Sequence, residues 1–213
     1  MSSLIDPILV AVLLLNLFAL GNSRIPTVIR VVGVQGGLLG VLPLLVHEHF
    51  GALPLFVSLL TVALKGVIIP FMLLRAMREA QIRREVEPSV GFLPSMILGA
   101  FSIGFSVLLS RELPMAQAHL GLLLVPASLS TVLVGFIMLT TRYKAISQVV
   151  GYLLLENGIF IFGMLLVEAM PLMVELGVLL DLFVGIFVIT IIVNHINEAF
   201  SSMDTRKLSA LKE

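Results

Sequence analysis

The apolar positions of this chain form seven long runs instead of the alternating pattern of a half-buried strand. The runs cover about residues 4–21, 27–46, 52–75, 90–110, 117–140, 145–167 and 171–196. About 20 apolar residues in a helix cross the hydrocarbon core of a bilayer, whereas strands of a membrane barrel alternate at every second position. The pattern therefore predicts an all-α, polytopic membrane helical bundle of about seven transmembrane helices.

Composition agrees with a protein dissolved in lipid and narrows its chemistry. Hydrophobic residues make up 59% of the 213 residues and charged residues 12%, with a mean hydropathy of +1.14. The net charge of zero argues against nucleic acid as a partner. The chain has no cysteine, which excludes disulfides and cysteine-ligated iron–sulfur or nickel sites on this chain. Any redox cofactor is therefore expected in a neighbouring subunit.

The basic residues predict how the helices are oriented. Eleven of the 13 Lys and Arg residues fall on one side of a seven-helix arrangement: Arg24, Arg30, Arg75, Arg78, Arg83, Arg84, Arg142, Lys144, Arg206, Lys207 and Lys212. Short cytoplasmic loops carry an excess of Lys and Arg. We therefore expect the N-terminus outside and the C-terminus in the cytoplasm.

Three ionisable residues, Lys65, Glu156 and Asp181, lie near the middle of three of the apolar runs. A charged side chain at the bilayer centre costs about 2.5–3.5 kcal/mol on insertion scales, so such residues usually face protein or water and take part in ion or proton pathways. Pro70 follows Lys65 by five residues and predicts a kink beside Lys65 with an unbonded carbonyl oxygen at Gly66. We predict that Lys65, Glu156 and Asp181 form a proton relay.

Plainer roles for these residues stay open. Lys65 would also serve helix assembly by pairing with a carboxylate, and Glu156 would do so as a protonated acid bonded to a neighbouring helix. Asn157, Glu175 and His195 are possible accessory members of the relay, although Glu175 and His195 equally fit positions at the membrane boundaries. We predict no catalytic, cofactor-binding or metal-binding residue on this chain.

The second run contains a row of small residues. Gly33, Gly36, Gly37 and Gly40 predict a face on which another helix packs closely, because small side chains allow two helix backbones to approach.

Residues 117–196 resemble the three-helix K subunit of respiratory complex I. That family has a basic loop, here matched by Arg142 and Lys144, and then a helix with a glycine and an asparagine six residues later, here Gly151 and Asn157. The family's glutamate falls at the position of Leu153, and Glu156 lies about one turn further on. The next helix of that family has an acid with a glycine four residues later, a spacing matched by Asp181 and its fourth neighbour Gly185.

Four further helices before this unit make the whole chain similar to hydrogenase-4 component E. The resemblance implies three regions: residues 1–111 as an N-terminal four-helix membrane region, 112–199 as the unit similar to the K subunit, and 200–213 as a cytoplasmic tail. It implies a multi-pass subunit of a prokaryotic inner membrane. It also implies antiporter-like and anchor subunits as partners, and a peripheral hydrogenase arm that holds the nickel–iron centre and the iron–sulfur clusters.

The sequence thus favours a non-catalytic membrane subunit of a nickel–iron hydrogenase or formate hydrogenlyase-like complex, which contributes to proton translocation. Two alternatives remain. One is a subunit of a multisubunit cation/proton antiporter, whose small subunits share the three-helix unit but usually lack the four preceding helices. The other is a structural scaffold in which the buried charges serve only assembly.

Overall fold

The computed structural model describes residues 4–46, 52–79, 88–112 and 123–166, and these residues form a bundle of helices without strands. The helices are α1 (Ile5–Gly21), α2 (Ile25–Val46), α3 (Ala52–Thr61), α4 (Ile69–Glu79), α5 (Phe92–Glu112), α6 (Leu124–Thr141) and α7 (Ala145–Leu166), and a π-helical segment, Val62–Ile68, joins α3 to α4 into one continuous rod. The all-α membrane bundle predicted from the sequence is confirmed.

Six of the seven predicted runs correspond to helical rods in this part of the chain. Five rods are long and apolar enough to cross a bilayer, and α1, with 17 residues, is a shorter apolar helix. The seventh run, 171–196, lies outside the described residues.

One end of the bundle, hereafter the basic end, gathers the C-termini of α1, α4 and α6 and the N-termini of α2, α5 and α7. Arg142 joins three of these termini. Its Nη2 donates a hydrogen bond of 2.7 Å to the carbonyl oxygen of Leu20 in the last turn of α1. Its guanidinium lies 4.6 Å from the ring centre of Phe92, the first residue of α5. A cation suits the C-terminus of a helix, where carbonyl groups lack intrahelical donors.

The buried apolar residues form two clusters rather than one core. The first lies toward the basic end and includes Leu20, Val32, Leu73, Val134 and Leu154. The second lies toward the opposite end and includes Leu9, Leu39, Leu124, Phe160 and Ile161. Between the two clusters, α1, α2, α6 and α7 each carry at least one buried polar side chain, and the candidate site described below is formed there.

Helix α5 lies at the periphery of the bundle. Its buried face consists of Ser95, Gly99, Ser102 and Ser106, and a Cβ added at Gly99 would meet the side chains of Leu17 and Leu20 in α1. Its outer face carries large apolar side chains at Leu93, Ile97, Phe101 and Leu108. A small inner face and a large apolar outer face are expected of a helix that packs closely on one side and faces lipid or another apolar surface on the other.

Candidate functional site

Lys65 and Glu156 form an ion pair inside the bundle. Lys65 Nζ lies 3.8 Å from Glu156 Oε2, and the side chains are 7% and 8% exposed. The pairing joins the α3–α4 rod to α7, over a sequence separation of 91 residues. A buried charge is tolerated when an opposite charge balances it, so the two residues explain each other's position in the membrane. The pair is the salt bridge that the described residues place within the apolar interior of the bundle.

A π-helical segment presents Lys65 to its partner. The segment runs over Val62–Ile68, and the backbone N–H of Ile69 donates to the carbonyl oxygen of Leu64, five residues earlier. Pro70 has no N–H to continue an α-helical ladder, and the wider π turn begins before it. At the place where the sequence predicts a kink, the structure therefore has a π-helical segment within one continuous rod. Segments of this kind are frequent at functional sites.

The glycine row of α2 allows this segment to approach closely. A Cβ added at Gly36 would lie 2.7 Å from Lys65 Cβ and 3.0 Å from its carbonyl carbon, and one added at Gly33 would lie 2.7 Å from Pro70 Cγ. Distances below 3.0 Å are closer than carbon atoms pack, so only glycine fits at these two positions. The predicted packing face on α2 is confirmed at Gly33, Gly36 and Gly40, whereas nothing lies within 4 Å of a Cβ added at Gly37. The role of this face is to hold the backbone that carries Lys65.

Beside the ion pair, four uncharged polar side chains form a chain of hydrogen bonds across the bundle. Asn157 Nδ2 donates to Gln35 Oε1 at 3.3 Å, and Gln35 Nε2 donates to Asn16 Oδ1 at 2.9 Å. Asn16 Nδ2 donates to Thr131 Oγ1 at 2.8 Å, whose hydroxyl donates to the carbonyl oxygen of Ala127 at 2.6 Å. This amide chain connects α7, α2, α1 and α6, and its four side chains are 0–2% exposed.

Together these residues form a polar layer at one depth of the bundle, consisting of Asn16, Gln35, Lys65, Thr131, Glu156 and Asn157. On α1, α2, α6 and α7 the layer lies between the two apolar clusters, so four helices change from apolar to polar at the same level. Apolar, low-dielectric side chains therefore lie on both sides of the polar layer. Each polar group in the layer needs a partner within the layer.

Phe160 provides a second contact for the ammonium group of Lys65. Lys65 Nζ lies 5.5 Å from the centre of the Phe160 ring, within the range of a cation–π interaction. Phe160 follows Glu156 by four residues on α7, so the carboxylate and the ring lie one turn apart on the same face. The ammonium group therefore has two adjacent stabilising surfaces, one charged and one aromatic.

The structure brings two of the three predicted relay residues together, Lys65 and Glu156. Asn157, predicted as an accessory residue, lies in the amide chain next to Glu156. Asp181, Glu175 and His195 lie outside the described residues, so their places in the relay stay predictions. Among the residues that the structure describes, no group of three His, Cys, Asp or Glu side chains is arranged to hold a metal ion.

Asn16, Gln35 and Thr131 were not predicted from the sequence. Asn16 and Gln35 are uncharged, and each stands alone within an apolar run, so neither showed the strong penalty that drew attention to Lys65. Their position was nevertheless informative, because an amide near the middle of a membrane span needs a hydrogen-bonding partner on another helix.

Comparison with known proteins gives similarities over the full chain and over about half of it. The chain is 29% identical over 215 residues to the uncharacterized protein Rv0085 of Mycobacterium tuberculosis, across all of this chain and 97% of that protein. It is 30% identical over 101 residues to hydrogenase-4 component E of Escherichia coli K12, across 47% of this chain and 46% of that protein, and equally so to the Shigella flexneri protein of that name. No family model and no solved structure matches the chain.

Proposed function

We propose that this protein is a non-catalytic integral membrane subunit of a hydrogenase-like complex, and that its buried ion pair contributes to proton translocation driven by electron transfer in other subunits. The similarity to hydrogenase-4 component E supports the assignment to such a complex. The six apolar helical rods support its place in the membrane. The proposed partners are antiporter-like and anchor subunits and a peripheral hydrogenase arm with its metal centres.

The observation that carries the proton-translocation part is the ion pair between Lys65 and Glu156. A carboxylate and an ammonium group in a low-dielectric interior stabilise each other's charge strongly. A charge arriving nearby, in this chain or in an adjacent subunit, changes that balance and favours the uptake or release of a proton at one of the two groups. Electron transfer elsewhere in the complex would then move protons through electrostatic coupling.

The orientation of the subunit belongs to the same proposal. Arg24, Arg78, Arg142 and Lys144 lie at the basic end of the described bundle, and the positive-inside tendency assigns this end to the cytoplasm. Asp181, together with Glu175 and His195 as accessory groups, would extend the relay beyond Lys65 and Glu156.

The decisive experiment removes the titratable carboxyl group and keeps its shape. Glu156→Gln and the double variant Lys65→Met/Glu156→Gln are expressed within the complete membrane complex, and assembly is verified by subunit composition. Redox-driven proton translocation is then measured in sealed membrane vesicles and normalised to the hydrogenase activity of each preparation. We expect translocation to fall while hydrogenase activity is retained in the assembled complex.

A matched control is Ser106→Ala, which also removes a fully buried polar group but lies on α5, a helix that contributes no residue to the polar layer. Its translocation should equal that of the unchanged protein. If assembled complexes with Glu156→Gln translocate protons at the normal ratio, the relay is refuted, and the scaffold interpretation of the buried charges is supported instead.

A further inference from the structure

A partly open cavity lies at the basic end, between the α1–α2 junction and the first turns of α7. Its polar walls include Asn22, Arg142 and Ser147, and the apolar side chains of Val28, Met138 and Val150 line it further toward the bundle centre. Its volume of about 10 Å³ is room for roughly one water molecule. The wall residues supply polar groups, so this cavity meets the two requirements for holding water, space and hydrogen-bonding partners.

On three helices, a residue that lines the cavity lies at the same spacing from a residue of the polar layer. Val28 precedes Gln35 by seven residues on α2, and Val150 precedes Asn157 by seven on α7. On α6, which runs in the opposite direction, Met138 follows Thr131 by the same number. Seven residues correspond to two helical turns, or about 10 Å. All three helices therefore set the same distance between the inner part of the cavity and the layer.

Midway along this distance, each of the three helices contributes one buried apolar side chain. These are Val32, Val134 and Leu154, hereafter the apolar plug, and they are 4%, 0% and 0% exposed. Each lies four residues from the cavity residue and three from the layer residue of its own helix. All three belong to the same buried cluster, so a single level of aliphatic side chains separates the cavity from the polar layer.

The opposite direction is blocked more deeply. From Asn16 toward the other end, α1 carries three buried apolar residues in succession on its inner face, Val12, Leu9 and Ile5, which are 0–4% exposed. Phe160, Ile161 and Met164 of α7 belong to the same cluster. Along these described helices, water or a proton entering from that end meets several apolar levels, whereas at the basic end the residues that line the cavity lie within one such level of the layer.

We infer that the cavity is the outer part of a water route from the basic end to the polar layer, and that Val32, Val134 and Leu154 are its closed gate. Apolar constrictions of this kind stop water and ions by dewetting and open with small movements of the wall. The inference rests on the proposed function, because it names the side from which the buried pair exchanges protons. Its test measures access by a small ion and needs no proton translocation.

The experiment uses the absence of cysteine from this chain. Thr131→Cys places one thiol in the polar layer, and sealed vesicles of known orientation, carrying the complete complex, are treated with silver ions on one side only. Blocking of the thiol is read out, after denaturation and isolation of this chain, by the loss of maleimide labelling. The rate of blocking then reports access to the layer from each side separately.

Opening the gate should raise this rate from one side. We expect Leu154→Ala to accelerate blocking about tenfold from the basic end, equivalent to about 1.4 kcal/mol in the cost of hydrating the plug, and to leave the rate from the other end unchanged. The matched control is Ile161→Ala, which removes an equally buried aliphatic side chain from the same helix on the other side of the layer. It should change neither rate.

A second variant, Val134→Thr, keeps the side-chain volume and adds a hydroxyl group. It creates no cavity, so it tests the gate even if Leu154→Ala destabilises the fold. It should also accelerate blocking from the basic end. Equal rates for Leu154→Ala and Ile161→Ala, acceleration from the opposite end, or no acceleration by either plug variant in an assembled complex would overturn the inference. None of these results depends on whether Glu156 carries protons.

Discussion

The polar layer contains two regions that differ in how their groups are satisfied. In the amide chain, Asn157, Gln35, Asn16 and Thr131 are joined by direct hydrogen bonds of 2.8–3.3 Å. In the ion pair, the closest charged atoms of Lys65 and Glu156 are 3.8 Å apart, longer than a charge-assisted hydrogen bond of about 2.7–2.9 Å.

The difference indicates that the two regions of the polar layer have different roles. Amide groups neither gain nor lose protons near neutral pH, and their bonds tie four helices into one arrangement. The ion pair consists of two ionisable groups, held by a π-helical segment on one side and α7 on the other. We therefore interpret the amide chain as the rigid part of the layer and the ion pair as its responsive part. The following predictions test this distinction, in order of decreasing effect.

The largest effect should come from breaking the ion pair on one side. Lys65→Met leaves Glu156 buried without its ammonium partner, and we expect a loss of about 3–5 kcal/mol in the free energy of unfolding. The double variant Lys65→Met/Glu156→Gln should recover most of this loss, because neither charge then remains buried alone. Unfolding of the purified protein in bicelles measures both values. Equal stability of the single and double variants would contradict a charge-balancing role.

Interrupting the amide chain should cost less and leave transport intact. Gln35→Leu removes the central member and leaves groups of Asn16 and Asn157 without their bonds, for an expected loss of about 1–3 kcal/mol. Proton translocation by the assembled complex should stay near normal if the chain is purely structural. Gln148→Leu, at an exposed position of α7, is the control. A strong loss of translocation in assembled Gln35→Leu complexes would place the amide chain in the responsive part.

Filling the close contact between α2 and the π-helical segment should displace Lys65. Gly36→Ala puts a methyl group 2.7 Å from Lys65 Cβ, and overpacking of this kind costs about 1–3 kcal/mol. Gly37→Ala is the matched control on the neighbouring position, because nothing lies within 4 Å of its Cβ. Stability measured in bicelles should fall only for Gly36→Ala. Equal values for the two variants would show that the contact tolerates separation of the helices.

The smallest effect should come from the aromatic contact. Phe160→Leu removes a cation–π interaction worth up to about 2 kcal/mol in a desolvated site, whereas Phe160→Tyr retains the ring. Comparing Phe160→Leu in the unchanged protein and in the Lys65→Met background separates the ring's effect on Lys65 from its general packing. A loss of the same size in both backgrounds would show that the ring serves packing alone.

The sequence was sufficient for the spans and for the residues that break the apolar pattern. Apolar runs of about 20 residues leave a helix as the way to satisfy the backbone in lipid, so α1 to α7 follow from composition along the chain. Lys65 and Glu156 were visible because a charge in such a run carries a large penalty. Asn16 and Gln35 were missed because burying one amide costs less than burying a charge. In addition, the hydrogen-bonding partner of each amide lies far from it in the sequence.

Length and hydropathy thus determined that this chain enters a membrane, and its buried charges determined where chemistry was to be sought. Only the tertiary structure decided that Lys65 faces Glu156, that four helices place polar groups at one depth, and that one level of apolar side chains lies between this layer and the residues lining the cavity at the basic end. These facts depend on the rotation and height of each helix relative to its neighbours. Glycine contacts and hydrogen bonds between residues as far apart as 122 positions set that arrangement, and no local pattern in the chain encodes it.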